Sequence, residues 1–443
     1  MLNNIIKHPN LGITTSFTNA HLEKVNHVLP QAVDEFVRRA NQKGQFLNWV
    51  DLPKHQQERI DEFYSMAEKF KAQTNAKYLT VLGIGGSKHT VEHMLGVNGL
   101  NIDNSVLFYS DIDSTSLNRY LARIGNNIKN SNFLVASKSG STYETKDGML
   151  RMRRMLVEAY KAEGLSEEEA NSKAIKHFIA VTDKNPETSE LRTLSNKENW
   201  LGKLFIHDDV GGRFSSFDDH ALFTLAYAGL SKEDMKEVLS GAQEMSKIAL
   251  ESADLSKNSP LAQAAFWASG VLNGIRDSIH IYLGDMFRST VTMHAQMQNE
   301  SVKNADKSIL LGAECMHHTS EAMYNPANKY SFAFTAPVDH GEASENVVGY
   351  TNGICKSNAA CGPSMLETVE TDKLGLKART AGALTQLRAF STVFQEILEK
   401  LFKGEKLPEV LDSVLQPHVE FYKKNLKPIG GNVPPVIAGR VSK

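Results

Sequence analysis

Residues 78–87 read YLTVLGIGGS, and this passage from an apolar run into glycines sets the fold class of the chain. The apolar run at 78–84 is too short for a helix and leads directly into a glycine-rich turn, which is typical of a buried strand followed by a helix. Glycines at such a turn let the backbone approach an anion, and the helix N-terminus favours negative charge. Taken alone, the stretch is equally compatible with a tight turn that binds nothing.

The same alternation continues along the chain. Further short apolar runs predict strands at 106–109, 133–136, 178–181 and 204–206, with helix-like stretches between them at 144–163 and 165–175. Strands that alternate with helices favour βαβ units and a parallel sheet covered by helices on both faces. A second set of strands is predicted at 308–311, 330–336 and 347–350, and mainly helical segments are predicted at 17–76, 218–297 and 378–402. We therefore predict an α/β fold of two units joined near residues 185–215.

Composition excludes several classes of protein. The 443 residues carry 49 Lys and Arg against 51 Asp and Glu, a formal net charge of -2, so the basic excess of a nucleic-acid or membrane-surface binder is absent. Three cysteines are too few for a disulfide framework. The N-terminus lacks the pattern of a signal peptide, and no apolar run reaches the ~20 residues of a membrane span. These features predict a soluble, cytoplasmic protein without nucleic-acid or membrane partners.

A cluster of hydroxyls follows the predicted strand at 133–136. Residues 137–145 read SKSGSTYET and contain five Ser and Thr residues, together with Lys138. Hydroxyls, backbone N–H groups and a lysine at a helix N-terminus suit a phosphate monoester. A single serine would suffice to cap the helix, so the pattern favours phosphate binding over capping alone.

Four further motifs contain candidate site residues. They are GGRFS at 211–215 with Gly212 and Arg213, QMQNES at 296–301 with Gln296 and Glu300, CMHH at 315–318 with His317 and His318, and QPHVEFYKKN at 416–425 with Gln416 and Lys423. A Gly-Gly-Arg turn presents a guanidinium to an oxyanion, a carboxylate beside an amide on one helical face is a candidate general base, and histidine is a candidate acid or base. Each motif alone is also compatible with a solvated surface.

No metal site is predicted. The CMHH cluster lacks the ligand spacing of a zinc finger, and Cys355 and Cys361 lack a C-x-x-C spacing. A nucleotide-binding enzyme is disfavoured because G-x-x-x-x-G-K-[ST] and a full G-x-G-x-x-G are both missing from the sequence.

Together and in this order, the motifs at 83–87, 137–145, 211–215, 296–301 and 416–425 resemble those of the phosphoglucose isomerase family, which has two sugar isomerase (SIS) domains. The resemblance implies two doubly wound parallel-sheet domains with helical extensions. It places the first SIS domain at 44–195 and a second, larger one at 1–43 and 196–443. It also implies an aldose–ketose isomerase that interconverts glucose 6-phosphate and fructose 6-phosphate in glycolysis and gluconeogenesis.

The resemblance further assigns roles to individual residues. The phosphate-binding and substrate-contacting positions are Gly86, Ser87, Ser137, Lys138, Ser139, Thr142, Gly212, Gln296 and Gln416. Glu300 is implied to shuttle the proton between C1 and C2, Arg213 to steady the enediolate, and Lys423 to assist ring opening with a histidine. Either His317 or His318 fits that histidine, and the apolar Met316 favours His317. The family needs no metal or other cofactor and is dimeric, with the histidine contributed across the subunit boundary.

The residue types suit this chemistry independently of the resemblance. A carbon acid needs a carboxylate base, and enediolate oxygens need a fixed cation. Two alternatives remain at this point: a dual phosphoglucose and phosphomannose isomerase, and a non-catalytic sugar-phosphate-binding SIS protein. The second alternative has no need for Glu300, Arg213 and Lys423 together.

Overall fold

The computed structural model describes most of the chain, namely residues 3–18, 20–100, 105–202, 204–303, 305–312, 314–325, 329–338, 349, 353, 357 and 362–416. At the N-terminus, strands β1 (Asn3–His8) and β2 (Ile13–Thr18) form an antiparallel hairpin. Helices α1 (Leu29–Ala40), α2 (Leu52–Gln57) and α3 (Ile60–Thr74) follow it.

The first sheet is wholly parallel, with strand order β4-β3-β5-β6-β7. Its strands are β3 (Tyr78–Leu82), β4 (Val106–Tyr109), β5 (Ser131–Ala136), β6 (Phe178–Thr182) and β7 (Leu204–Phe205). The helices between and around them are α4 (Gly86–Val97), α5 (Ser114–Arg123), α6 (Tyr143–Lys161), α7 (Glu167–Ala174) and α8 (Glu190–Lys197). All of these strands were expected from their short apolar runs.

The second sheet has the order β1-β2-β11-β10-β8-β9 and is mixed. Four parallel strands, β8 (Asp277–Tyr282), β9 (Asp306–Leu311), β10 (Tyr330–Val338) and β11 (Ser364–Glu370), are extended by the antiparallel hairpin β1–β2. The helices of this half are α9 (Asp219–Ala228), α10 (Lys232–Glu251), α11 (Ser259–Leu272), α12 (Arg288–Ser301), α13 (Glu314–Met323) and α14 (Ala378–Phe402). The predicted α/β class with parallel sheets is confirmed.

Three details differ from the expectation. The first sheet extends past the predicted boundary at residue 195, because β7 pairs with β6. Strand β8 interrupts the region predicted as helical at 218–297. Its polar residues hide the apolar pattern of a buried strand. His280, for example, is buried and contacts Thr335 Oγ1 at 2.8 Å. Strands β1, β2 and β11 were not predicted, and the strand expected at 347–350 lies outside the described residues.

None of the helices in the described part of the chain is long and apolar enough to cross a membrane.

Candidate active site

Two candidate loops leave the first sheet side by side. Strands β3 and β5 are parallel neighbours, so the loops that follow them lie at the same edge of the sheet. A Cβ placed on Gly83 would lie 3.3 Å from the carbonyl oxygen of Ala136, which shows how close the two loops run. Ser87, half-buried in the first turn of α4, therefore lies beside the hydroxyl-rich loop at 137–142.

The hydroxyl-rich loop is held by contacts among its own side chains and by the backbone N–H groups of Asp183 and Glu190, which donate to the carbonyls of Lys138 and Ser139. Ser137 Oγ lies 3.1 Å from Thr142 Oγ1 and accepts from the backbone N–H of Gly140 at 3.1 Å, while Ser139 Oγ lies 2.6 Å from Ser141 Oγ. Thr142 is the N-cap of α6, but its side chain makes no capping hydrogen bond. These hydroxyls bond to one another at a helix N-terminus, so they can turn to an anion without uncapping the helix. Lys138 is exposed beside them.

Glycine is required where the two halves of the site meet. A Cβ placed on Gly86 would lie 2.1 Å from the carbonyl carbon and oxygen of Gly212, so the two loops touch backbone to backbone. Gly85 has a φ of 56°, and a Cβ there would lie 3.0 Å from Gln296 Nε2. The glycine-rich turn after β3 therefore contacts both the Gly-Gly-Arg turn and helix α12.

Arg213 is buried at the centre of this contact. Its side chain is 1% exposed, and the guanidinium donates to Ser301 Oγ at 2.8 Å and to Glu300 Oε2 at 3.4 Å. Nη2 donates to the carbonyls of Leu415, at 3.2 Å, and Ser413. Burial lowers the pKa of Arg213 to about 10, against the opposing effect of the Glu300 carboxylate, so the guanidinium stays charged at neutral pH. The structure thus holds a fixed cation against the predicted base.

Glu300 lies in the last turn of helix α12, with both carboxylate oxygens in contact with donors. Gln296, one turn earlier, donates through Nε2 to Glu300 Oε1 at 2.9 Å, while Arg213 approaches the other oxygen. The Glu300 side chain is 20% exposed, so it stays accessible to solvent. Lys303 Nζ donates to the backbone carbonyl of Glu300, and burial, followed by the proximity of Arg213, lowers the Lys303 pKa.

The segment that leads to Gln416 closes one side of the site. Glu396 on α14 accepts from the backbone N–H groups of Asp412 at 3.0 Å and Ser413 at 2.7 Å. This anchors the carbonyls of Ser413 and Leu415 that hold Arg213. Gln416 is half-buried directly after them.

His317 is not brought to Glu300 within one chain. Glu300 lies just before β9, whereas His317 lies on α13, which follows the other end of that strand. Six strand residues rise roughly 17 Å, so the two side chains lie at opposite ends of the sheet. His317 is exposed. The His318 side chain and Lys423 lie outside the described residues.

One cluster among the described residues could approach a metal ion, formed by His207, Asp218 and Asp219. Its carboxylates already have partners, since Arg59 pairs with Asp219 at 2.5 Å and His207 Nδ1 contacts Asp218 at 2.5 Å. Asp218 also caps α9. These contacts fix the chain that follows Arg213, and we assign the cluster to that structural role.

Sequence reasoning missed several groups in the site. Ser301, whose Oγ accepts from Arg213, lies in the motif QMQNES at 296–301, so the sequence did contain a signal for this residue. Lys303 contacts Glu300 through a backbone carbonyl, and Ser413 and Leu415 act through theirs. Every residue has a backbone carbonyl, so a role as a backbone acceptor cannot be predicted from the residue type.

Part of the chain matches known proteins in sequence. Residues 23–329 match the family model described as phosphoglucose isomerase. The chain is 31% identical over 239 residues to a glucose-6-phosphate isomerase from Shouchella clausii, covering 51% of this chain and 49% of that one. It is 30% identical over 262 residues to a glucose-6-phosphate isomerase from Mycoplasma mobile, covering 54% and 56%. The matching part thus spans about half the length of these curated relatives.

Solved structures show the same fold. A glucose-6-phosphate isomerase from Chlamydia trachomatis superposes with a TM-score of 0.75 at 20% identity, covering 95% of this chain and 88% of that one. A hypothetical protein from Thermus thermophilus gives a TM-score of 0.72 at 19% identity, covering 91% and 95%. The family match ends before Gln416 and Lys423, and the roles of all the candidate site residues stay predictions.

Proposed function

The chain belongs to the phosphoglucose isomerase family, and we propose that it interconverts glucose 6-phosphate and fructose 6-phosphate, the isomerisation used in glycolysis and gluconeogenesis. The observation that carries the proposal is the contact of Glu300 with Arg213 and Gln296 beside the glycine-rich turn. A protein that only binds sugar phosphates has no need for a carboxylate and a buried guanidinium in contact.

The proposed reaction uses Glu300 as the base that moves one proton between C1 and C2. Removing that proton places negative charge on the enediolate oxygens, and the Arg213 guanidinium is the fixed cation that stabilises it. Because the protein itself holds Arg213 through Ser301 and two carbonyls, little reorganisation accompanies the charge development. Lys423 and a histidine are proposed to open the ring.

We expect the phosphate group to bind the loop that contains Ser137 and Thr142. Replacing both residues by alanine removes two donors to an anion and should weaken substrate binding by about 2–5 kcal/mol, mainly through KM. Inhibition by inorganic phosphate should weaken in parallel. Ser172→Ala, an exposed helical serine, is the matched control. An unchanged KM in the double variant would contradict the assignment.

The enzyme is proposed to act as a cytoplasmic homodimer with shared active sites. What supports this is the position of His317, at the far end of β9 from Glu300 in the same chain. A histidine from a second copy is the simplest way to complete each site. The balanced charge and the three cysteines suit a reducing compartment.

Mixing two inactive variants tests the shared site. In a mixed dimer of Glu300→Gln and His317→Ala, one site receives Glu300 from one chain and His317 from the other, and is intact. Random mixing should restore about a quarter of wild-type activity on cyclic substrate, because half of the dimers are mixed and each has one intact site. The same mixture made with His318→Ala shows which histidine acts, since adjacent helical residues point in different directions. A lack of recovery with either variant would show that sites are not shared.

Turnover of fructose 6-phosphate tests the function as a whole. Formation of glucose 6-phosphate should be seen in a coupled assay with a chelator present and no metal added. Mannose 6-phosphate in place of fructose 6-phosphate separates the dual phosphoglucose and phosphomannose isomerase from the proposed enzyme. Binding of sugar phosphates without any turnover would instead favour the non-catalytic alternative.

A further inference from the structure

His220 lies beneath the contact between the two glycine-containing loops. It is the second residue of α9 and is 1% exposed. Its Nε2 lies 3.3 Å from Thr90 Oγ1 on α4 and 3.5 Å from Ser215 Oγ, which follows the Gly-Gly-Arg turn. The ring therefore joins the two elements that carry Gly86 and Gly212.

Both hydroxyls have already committed their protons. Thr90 Oγ1 lies 2.6 Å from the carbonyl oxygen of Gly86, and Ser215 Oγ lies 2.6 Å from that of Gly212. A carbonyl only accepts, so each hydroxyl donates its single proton to a loop carbonyl. In their contacts with His220, these two hydroxyl oxygens can therefore only accept. The ring must be the donor, so Nε2 carries the proton and shares it between the two hydroxyl oxygens.

The other ring nitrogen makes no competing contact. His220 Nδ1 is buried and has no hydrogen-bond partner among the described residues, so none of them accepts a proton from the ring at that position. Burial lowers the pKa of His220, while Asp218 and Asp219 oppose this shift and His207 adds to it. A neutral ring with its one proton on Nε2 is the state that matches every contact.

An apolar side chain would fill this space at lower cost. Burying a polar nitrogen without a partner is unfavourable, so a residue needed only for packing would avoid the Nδ1 atom. The imidazole supplies something an apolar group does not, namely one N–H directed between Thr90 and Ser215.

We propose that His220 is a positioning residue that fixes Gly86 against Gly212 and thereby holds Arg213 where it stabilises the enediolate oxygens; the role in turnover rests on the proposed isomerase function. Gly86 and Gly212 already touch, so the backbone has little room to compensate if the support behind it is lost. Arg213 directly follows Gly212, and a displacement of about 1 Å at such a group is enough to cost about 100-fold in rate.

Three substitutions separate positioning from packing. His220→Gln places an amide N–H at about the level of Nε2 and should keep kcat within about threefold of wild type. His220→Asn and His220→Leu place no N–H there. Both should lower kcat about 10–100-fold with little change in KM. Thr90→Val removes the hydroxyl that contacts Nε2. Its effect on kcat should be much smaller in the His220→Leu background than in the wild-type enzyme. His177→Gln is the control, because this buried histidine contacts Tyr160 and Ser131 far from the loops. It should lower stability but not kcat.

Nitrogen NMR gives a readout independent of turnover. The His220 ring should show the Nε2–H tautomer, and its pKa should lie below that of an ordinary histidine. Finding the Nδ1–H tautomer, or finding wild-type kcat in folded His220→Leu enzyme, would overturn the proposal. If the wild-type protein turned over no substrate, the function would fall, and the tautomer would still decide whether His220 joins the loops.

Discussion

Replacing Glu300 by glutamine should lower isomerisation by about 10²–10⁴-fold while a competitive sugar-phosphate inhibitor still binds. The substitution keeps the size of the side chain but removes its basicity. It also breaks one contact, because Gln296 and Arg213 both donate to the carboxylate and the new amide has only one oxygen. Turnover of fructose 6-phosphate, measured beside inhibitor binding, checks both parts of the expectation.

Solvent exchange gives this prediction a second readout. Incubation with wild-type enzyme in D₂O should place deuterium at C1 or C2 unless the shuttled proton is retained, and Glu300→Gln should nearly abolish both exchange and isomerisation. Glu168→Gln, at an exposed position on α7, is the matched control and should change neither. Near wild-type turnover in Glu300→Gln would end the assignment of Glu300 as the base.

Replacing Arg213 by alanine should lower kcat by about 10²–10³-fold, because a cation aimed at the enediolate acts mostly in the transition state. The change also leaves Ser301 Oγ and the carbonyl of Ser413 without the Arg213 donor, whereas the carbonyl of Leu415 keeps Lys303 Nζ at 3.3 Å, so unfolding should become easier by about 1–3 kcal/mol for each buried group left unpaired. Kinetics and thermal unfolding together separate the two effects.

Two further measurements sharpen the assignment of Arg213. Arg213→Lys keeps the charge but not the fork of donors, so it should recover only part of the rate. Free guanidinium added to the Arg213→Ala enzyme should restore some activity if loss of the cation is the cause. A kcat within a few-fold of wild type in folded Arg213→Ala would show that the enediolate is stabilised by another group.

The sequence correctly predicted those elements in which the residue types alone indicate which positions are buried and which are exposed. The strands of the first sheet are short apolar runs between glycines and polar residues, and α14 matches the predicted segment 378–402. Strand β8 was missed because its buried His280 and Tyr282 have partners far away in sequence, Thr335 for His280 and Arg388 for Tyr282. The identity of a polar residue does not show whether a residue far away in sequence will provide its hydrogen-bond partner.

The site shows the same limit. Residue types and motif order led to Arg213 and Glu300, but their contact joins positions 87 residues apart and depends on how the two sheets are placed. Distance along the chain carries no information on such a contact. His220 escaped notice because its role depends on the orientation of two hydroxyl protons, which only the geometry reveals.

The N-terminal hairpin has a consequence for how the protein is made. Strand β2 pairs with β11, and Ser16 donates to the carbonyl of Leu366, which lies 350 residues later. The first sheet, by contrast, draws all its strands from residues 78–205. A ribosome synthesises the chain from its N-terminus, so this sheet can assemble while the earlier hairpin still lacks its neighbour. Strands that are synthesised before the first sheet therefore belong to the sheet that is completed after it.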